Sequence, residues 1–201
     1  MQLYCSKTSP YSRKVRIALI ELGITDRVDE ILIDPFNPTA EFLAANPLSK
    51  IPTLVTDRGE ALPSSDLILE YLQARFSGIA ALPRGSRRWA ALRLRQIGEG
   101  VIDAAVATVF EKRRPESIVY VPHLDRQLAS IERSLELLNL EVSMLGTQTP
   151  SVVEITVGVA LSYLDFRMPY VAWRKSHSAL EAWHEQFSER ASMQLTRPPE
   201  T

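Results

Sequence analysis

The chain has 201 residues, 45% hydrophobic and 23% charged, with 23 basic residues against 24 acidic ones. A net charge of −1 argues against the one-signed field of a nucleic-acid or acidic-membrane binder. No apolar run approaches the roughly 18 residues of a membrane span.

The length suits one large domain or two small ones. The single cysteine, Cys5, allows no intramolecular disulfide. With no basic leader and apolar core at the N-terminus, this points to the cytoplasm. Three histidines, His123, His177 and His184, make no metal-ligand cluster with Cys5 and read as surface or cap residues.

Gln2 to Tyr4 reads as a short strand, and Pro10 to Gly23 as a helix whose inner face is Val15, Ala18, Leu19 and Leu22. Pro10 suits the first helical position, which places Ser9 at the N-cap. A hydroxyl there sits where free N–H groups and the helix dipole favour an anion. Ser9 is therefore either a cap or a donor to a ligand thiolate. Val28 to Ile33 reads as a second strand, and Thr39 as the cap of a short helix, Ala40 to Ala45, broken by Asn46-Pro47. Thr53 to Thr56, the turn Asp57-Arg58-Gly59-Glu60 and Ala61-Leu62 read as a hairpin. Pro52 cannot donate into a ladder, and a cis Ile51-Pro52 bond would leave the Ile51 backbone open to a ligand; a trans proline starting an edge strand is the alternative. Ser64 or Ser65 caps a helix to Phe76 with Leu67, Ile68, Tyr71 and Leu72 inward, and that helix start is a second anion site.

The first 76 residues thus read β-α-β-α-β-β-α, a compact mixed sheet with helices on both faces. Residues 77–87, with Gly78, Pro83 and Gly85, read as a linker. Beyond it the strand signals stop, and 88–201 reads as an all-helical domain. Arg88 to Arg114 is a long helical stretch with a bend expected near Gly98 and Gly100. Pro122 to Glu141 follows, and then Ser151 to Leu164, which opens on the capping-box pattern Ser151-Val152-Val153-Glu154. That helix is apolar nearly all round, the mark of a bundle centre. Pro169 ends it; Ser178 to Ser188 is a further helix, and the tail, Thr196 to Thr201, reads as surface.

The order of these pieces resembles a cytosolic glutathione transferase of the bacterial, theta-like serine type. The pieces are Thr8-Ser9-Pro10-Tyr11, Lys50-Ile51-Pro52-Thr53-Leu54 and Ser64-Ser65-Asp66-Leu67-Ile68-Leu69-Glu70-Tyr71-Leu72, then a helical domain with Ser151-Val152-Val153-Glu154-Ile155 and Tyr163-Leu164-Asp165-Phe166-Arg167. The resemblance implies an α+β thioredoxin-like N-terminal domain, an all-α helical-bundle C-terminal domain, a cis bond at Pro52 and a homodimer. It implies glutathione as co-substrate, a small electrophile as second substrate, and no metal, nucleic acid or membrane. Ser9 matches the serine that stabilises the glutathione thiolate. Ile51 and Pro52 match the segment bracketing its cysteinyl part, Lys50 is a candidate for the glycyl carboxylate, and Ser65 matches the serine holding the γ-glutamyl carboxylate. Ser64 stands where the family usually has Glu or Gln, so a carboxylate facing the γ-glutamyl ammonium is missing there; Asp103 or Glu99 of a partner copy is a substitute. Tyr11, Phe36, Ile102, Ala105, Val106 and Phe110 are candidates to line the electrophile cleft or to be ordinary packing. Conjugation is the first reading. Glutathione-dependent peroxide or disulfide reduction and a glutathione-binding interaction domain are its rivals.

Overall fold

The computed structural model describes residues 1–199, and contacts divide them into two units: Met1–Ala81 with Arg190 onward, and Leu82–Glu189. In the first unit the order is β1 (Gln2–Cys5), α1 (Pro10–Glu21), β2 (Asp29–Leu32), α2 (Ala40–Ala45), β3 (Thr53–Val55), β4 (Ala61–Pro63) and α3 (Ser65–Arg75), the β-α-β-α-β-β-α pattern. The sheet order is β2-β1-β3-β4, with β1 and β2 parallel and the other pairs antiparallel. β1 lies between two strands, which is why Leu3, Tyr4 and Cys5 are all buried while the edge strand β2 is largely exposed.

Helix α1 opens with Pro10 at its first position and Ser9 at its N-cap. It stops at Gly23, whose φ of +65° is the left-handed geometry that only glycine takes without strain. Val15, Ala18, Leu19 and Leu22 face inward. So do Arg13 and Lys14, which period-counting of apolar residues leaves outside. Arg13 donates from Nε to the Thr196 hydroxyl at 3.2 Å and from Nη2 to the Met193 carbonyl at 3.0 Å. Burial, with like charge from Arg197 and Arg16, pulls its guanidinium down to about 10, still charged at neutral pH. Helix α3 buries Ile68, Leu69 and Leu72, whereas Leu67 is exposed. Its inward face is therefore one residue later than the sequence pattern suggests.

Residues after Arg190 pack on the first unit instead of belonging to the helical one. Arg190 grips the Glu21 carboxylate through Nε at 2.8 Å and Nη2 at 2.7 Å, and the Ser192 hydroxyl also donates to it. A short helix, α8 (Ala191–Leu195), then rests against α1, and Thr196 is fully buried, not on the surface. Residues 200 and 201 of the expected tail lie outside the described residues.

The second unit holds α4 (Ser86–Glu111), α5 (Val121–Leu140), α6 (Val152–Arg167) and α7 (Ser178–Ser188). Every residue of α6 from Val152 to Leu161 is buried, with α4 and α7 packed on it. Helix α4 runs unbroken through Gly98 and Gly100. Gly98 serves close approach instead: a Cβ there would stand 3.2 Å from Val157 Cγ2 of α6. His177 and His184 are buried, contrary to the surface reading. His184 Nδ1 faces Arg174 Nη2 at 2.9 Å, so that nitrogen accepts. Nε2 faces the Ser162 hydroxyl at 3.0 Å and the Gly158 carbonyl at 3.3 Å. His177 Nδ1 lies 2.9 Å from the Trp173 carbonyl. No described helix is long and apolar enough to cross a membrane.

Candidate functional site

The register of the first unit brings three separate stretches to one end of the sheet. Tyr4 pairs with Thr53, and Thr53 pairs with Pro63. The chain leaving Tyr4 leads to Ser9, the chain entering Thr53 comes from Lys50-Ile51-Pro52, and the chain leaving Pro63 is Ser64-Ser65. One row across β1, β3 and β4 thus gathers segments that leave it at residues 4, 53 and 63.

Ser9 Oγ accepts the Ser12 N–H at 3.2 Å, so it does cap α1. A hydroxyl is one donor and two acceptors, and among the described residues the Ser9 proton reaches no acceptor. The first turn of α1 contains no acid, so nothing there offsets the positive helix end. Ser12, another hydroxyl of that turn, is buried and accepts from the Ser6 N–H at 3.4 Å, which ties down the loop after β1. Cys5 is not a competing nucleophile. Burial, with Glu30 nearby, pushes its thiol up to about 11, against the opposing pull of Arg16 and Lys7.

The segment before β3 is organised by a residue that sequence reasoning treated only as a helix breaker. Asn46 is fully buried. Its amide nitrogen donates to the Lys50 carbonyl and to the Thr53 hydroxyl, both at 2.8 Å, and its oxygen accepts the Leu48 N–H at 3.0 Å. A buried asparagine with each group engaged fixes a loop firmly. An Asn-Pro pair ahead of a Pro-led strand was the available signal. The Ile51-Pro52 bond is cis, and the ladder starts only at Thr53. Lys50 fixes the loop through its backbone while its side chain is exposed, with no carboxylate partner among the described residues.

At α3, Ser64 is the N-cap by position but its side chain makes no cap bond, and Ser65 is the first helical residue. Ser64 holds φ +78°. A non-glycine residue in that region costs about 1–3 kcal/mol and persists where surrounding structure imposes it, as at ligand clamps. Ser65 is nine-tenths buried, yet its hydroxyl has no partner among the described residues. Asp66 does not stand in for an acid at position 64. Its Oδ1 takes the ammonium of the fully buried Lys14 at 3.3 Å, an ion pair joining the second turn of α1 to the first turn of α3. This end of the sheet therefore offers three unengaged donors, Ser9 Oγ, Lys50 Nζ and Ser65 Oγ, beside two helix N-termini, a set suited to an anionic ligand. Of the candidate cleft residues, Ile102 and Ala105 are core of the helical unit, and Phe36 and Phe110 are exposed.

Comparison with known proteins agrees on the kind of molecule. Residues 8–75 match the glutathione S-transferase N-terminal domain model, and residues 121–186 match the C-terminal one. The GST-like protein YibF of Escherichia coli K12 is 36% identical over 99% of both chains. A glutathione transferase family member from Pseudomonas fluorescens Pf-5, solved with bound glutathione, is 38% identical over 99% of both chains at a TM-score of 0.93. A second structure of a family member from that strain, with bound S-(propanoic acid)-glutathione, is 37% identical over the full length of both at a TM-score of 0.89.

Proposed function

We propose that this chain, which belongs to the glutathione S-transferase family, binds reduced glutathione and transfers its sulfur to a small electrophile, with Ser9 stabilising the thiolate. The observation that supports this is the Ser9 hydroxyl: it caps α1 as an acceptor, and among the described residues its proton meets no acceptor. A thiol of pKa about 8.5 is only about 3% ionised at pH 7. Lowering it by about two units makes most of it thiolate and requires roughly 2.7 kcal/mol of preferential stabilisation. One hydrogen bond to a charged acceptor supplies about 1.5–3 kcal/mol, and a helix N-terminus about 0.3–1. The two together reach what is needed.

Ser65 then takes the γ-glutamyl carboxylate and Lys50 the glycyl carboxylate, while the backbone at Ile51, held by the cis bond to Pro52, brackets the cysteinyl part and Ser64 sets the entry to α3. The thioether bound by the Pseudomonas relative is the kind of product that conjugation makes, and it favours transfer over disulfide reduction. With Cys5 buried and its thiol raised, a cysteine-based reductase has no nucleophile here. The reading includes a cytoplasmic homodimer; Trp89 and Leu140 of the helical unit are large apolar side chains left exposed in the single chain.

The test is the pH dependence of thiolate absorbance in the glutathione complex. Ser9→Ala is expected to raise the thiol pKa by about one to two units and lower turnover at neutral pH about ten-fold or more, with affinity little changed. An identical titration in both proteins would leave Ser9 as a cap. One observation favours a second reading, a glutathione-binding module with little turnover. Position 64 is serine, and Asp66, the acid in the first turn of α3, is paired with Lys14, so the place facing the γ-glutamyl ammonium holds no carboxylate.

A further inference from the structure

Helix α1 carries three cations, Arg13, Lys14 and Arg16, and they do not end alike. Lys14 pairs with Asp66 at 3.3 Å, and Arg16 with Glu30 at 2.8 Å. Arg13 is only 5% exposed, and among the described residues its guanidinium meets no carboxylate. Its partners are a neutral carbonyl and a neutral hydroxyl, those of Met193 and Thr196. The charged groups that act on it, Arg197 and Arg16, share its sign. Glu21, the acid at the far end of α1, is taken by Arg190.

Burying a charge without an opposite one is costly, and well-packed apolar residues often replace buried charges at no loss of stability. Packing alone is therefore a poor account of an arginine here. The anchors are built to keep it: Met193 and Thr196 are themselves buried, and the Thr196 hydroxyl donates onward to the Ser192 carbonyl at 2.7 Å. Arg13 also lies one turn from the helix start. Its N–H donates to the Ser9 carbonyl at 3.0 Å, and Cα–Cβ bonds in a helix tilt toward its N-terminus. The first turn of α1 holds no acid. A full positive charge there, screened by protein instead of water, adds to the half charge of the helix end.

We propose that the buried Arg13 charge, held in place by the C-terminal segment through Met193 and Thr196, strengthens the α1 N-terminus as a thiolate site. Arg13 is then a positioning residue and Thr196 its anchor. That the thiolate is glutathione's rests on the function proposed above; the charge at the helix start does not.

A thiol placed at the helix start reads this charge without glutathione. In Ser9→Cys the introduced thiol is titrated by its rate of alkylation with iodoacetamide against pH, while buried Cys5, pushed up to about 11, stays silent. Adding Arg13→Met is expected to raise the introduced thiol's pKa by about half a unit to one unit. Arg13→Lys keeps the charge and should stay within a few tenths of a unit of the Ser9→Cys parent. Thr196→Asp keeps the arginine and its anchor but hands it a carboxylate, and should raise the pKa as Arg13→Met does. This variant separates charge from bracing, since a firmer brace alone would leave the titration where it was. It also stands in if Arg13→Met does not fold. Unmoved titrations in Arg13→Met and Thr196→Asp, or equal shifts in Arg13→Lys and Arg13→Met, overturn the proposal. The same substitutions in the Ser9 protein, read through thiolate absorbance of the glutathione complex, should shift in the same direction. A reporter thiol that moves while bound glutathione does not would keep Arg13 in its role and instead remove the glutathione sulfur from this helix end.

Discussion

Two serines cap two helices in this chain, and they end in opposite chemical states. Ser151 opens α6. Its N–H and its hydroxyl both donate to Glu154, at 2.8 and 2.5 Å, while its oxygen accepts the Val153 N–H at 3.1 Å. Every group is engaged, and the Glu154 charge offsets the positive helix end. Ser9 opens α1, and among the described residues its hydroxyl is engaged only as the acceptor of the Ser12 N–H. The difference lies three residues on, Glu154 against Ser12. A carboxylate there closes the box and makes the cap structural. A small hydroxyl turned back toward Ser6 leaves both the serine proton and the helix end to a ligand. Residue type and cap position are shared, so neither identifies the functional serine.

The largest expected effect breaks the closed box. Glu154→Ala removes the acceptor of the Ser151 N–H, the Ser151 hydroxyl and the Gly146 N–H at once. Denaturant unfolding should show a loss of about 2–4 kcal/mol, as for several buried donors left unpaired, with the thiol titration of the glutathione complex unmoved. A shifted titration would mean that α6 tunes the site.

Ser151→Ala keeps the acid and is expected to cost about 1 kcal/mol in the same unfolding measurement. Turnover per folded molecule should stay at the wild-type level; a large fall at full stability would put Ser151 in the chemistry and erase the contrast with Ser9.

Tyr11→Asp sharpens the contrast from the other side by adding an acid to the first turn of α1. Helix stability should hold or gain a few tenths of a kcal/mol, while the bound thiol pKa rises by about half a unit to one unit through like charge. A titration unchanged by that acid would place the sulfur away from this helix end.

The smallest effect lies at the far end of α1. Glu21 is held below its ordinary value of 4.5. Burial raises it, but the hydrogen bonds from Arg190 and Ser192 and the Arg190 charge together lower it more. A lowered carboxyl contributes stability above its unfolded pKa and loses it as pH falls through the folded one. Hydrogen exchange, corrected for its intrinsic pH dependence, should therefore show 191–195 loosening below about pH 4.5 ahead of the sheet. Uniform loosening of the first unit would show that the Arg190–Glu21 grip does not set the attachment of α8.

Much of this was legible beforehand because it is local. Ser9-Pro10, Thr39 and Ser151 with Glu154 mark helix starts through groups one turn apart. The apolar circumference of 152–164 marks a bundle centre whatever surrounds it. The candidate serines were legible for the same reason, since a cap is read from its own turn. Whether the Ser65 hydroxyl is engaged was not legible, because that depends on what packs beside it.

The amino-acid sequence by itself therefore determined the element order as far as α7, the starts of the helices that Ser9, Thr39 and Ser151 cap, the buried α6 and the short list of hydroxyls at helix N-termini. Only the tertiary structure decided which of these meet. It set the row Tyr4–Thr53–Pro63 that gathers three loops and turned Arg13 and Lys14 inward to partners 52 to 183 residues away. It also returned the chain after Arg190 to the first unit and made Gly98 a contact point with α6 rather than a bend. The physical reason is range. Capping and periodicity act within one or two turns and are written in neighbouring residues. Buried charges, close helix approaches and strand register are chosen by desolvation and packing against chain far away, which local spacing does not record.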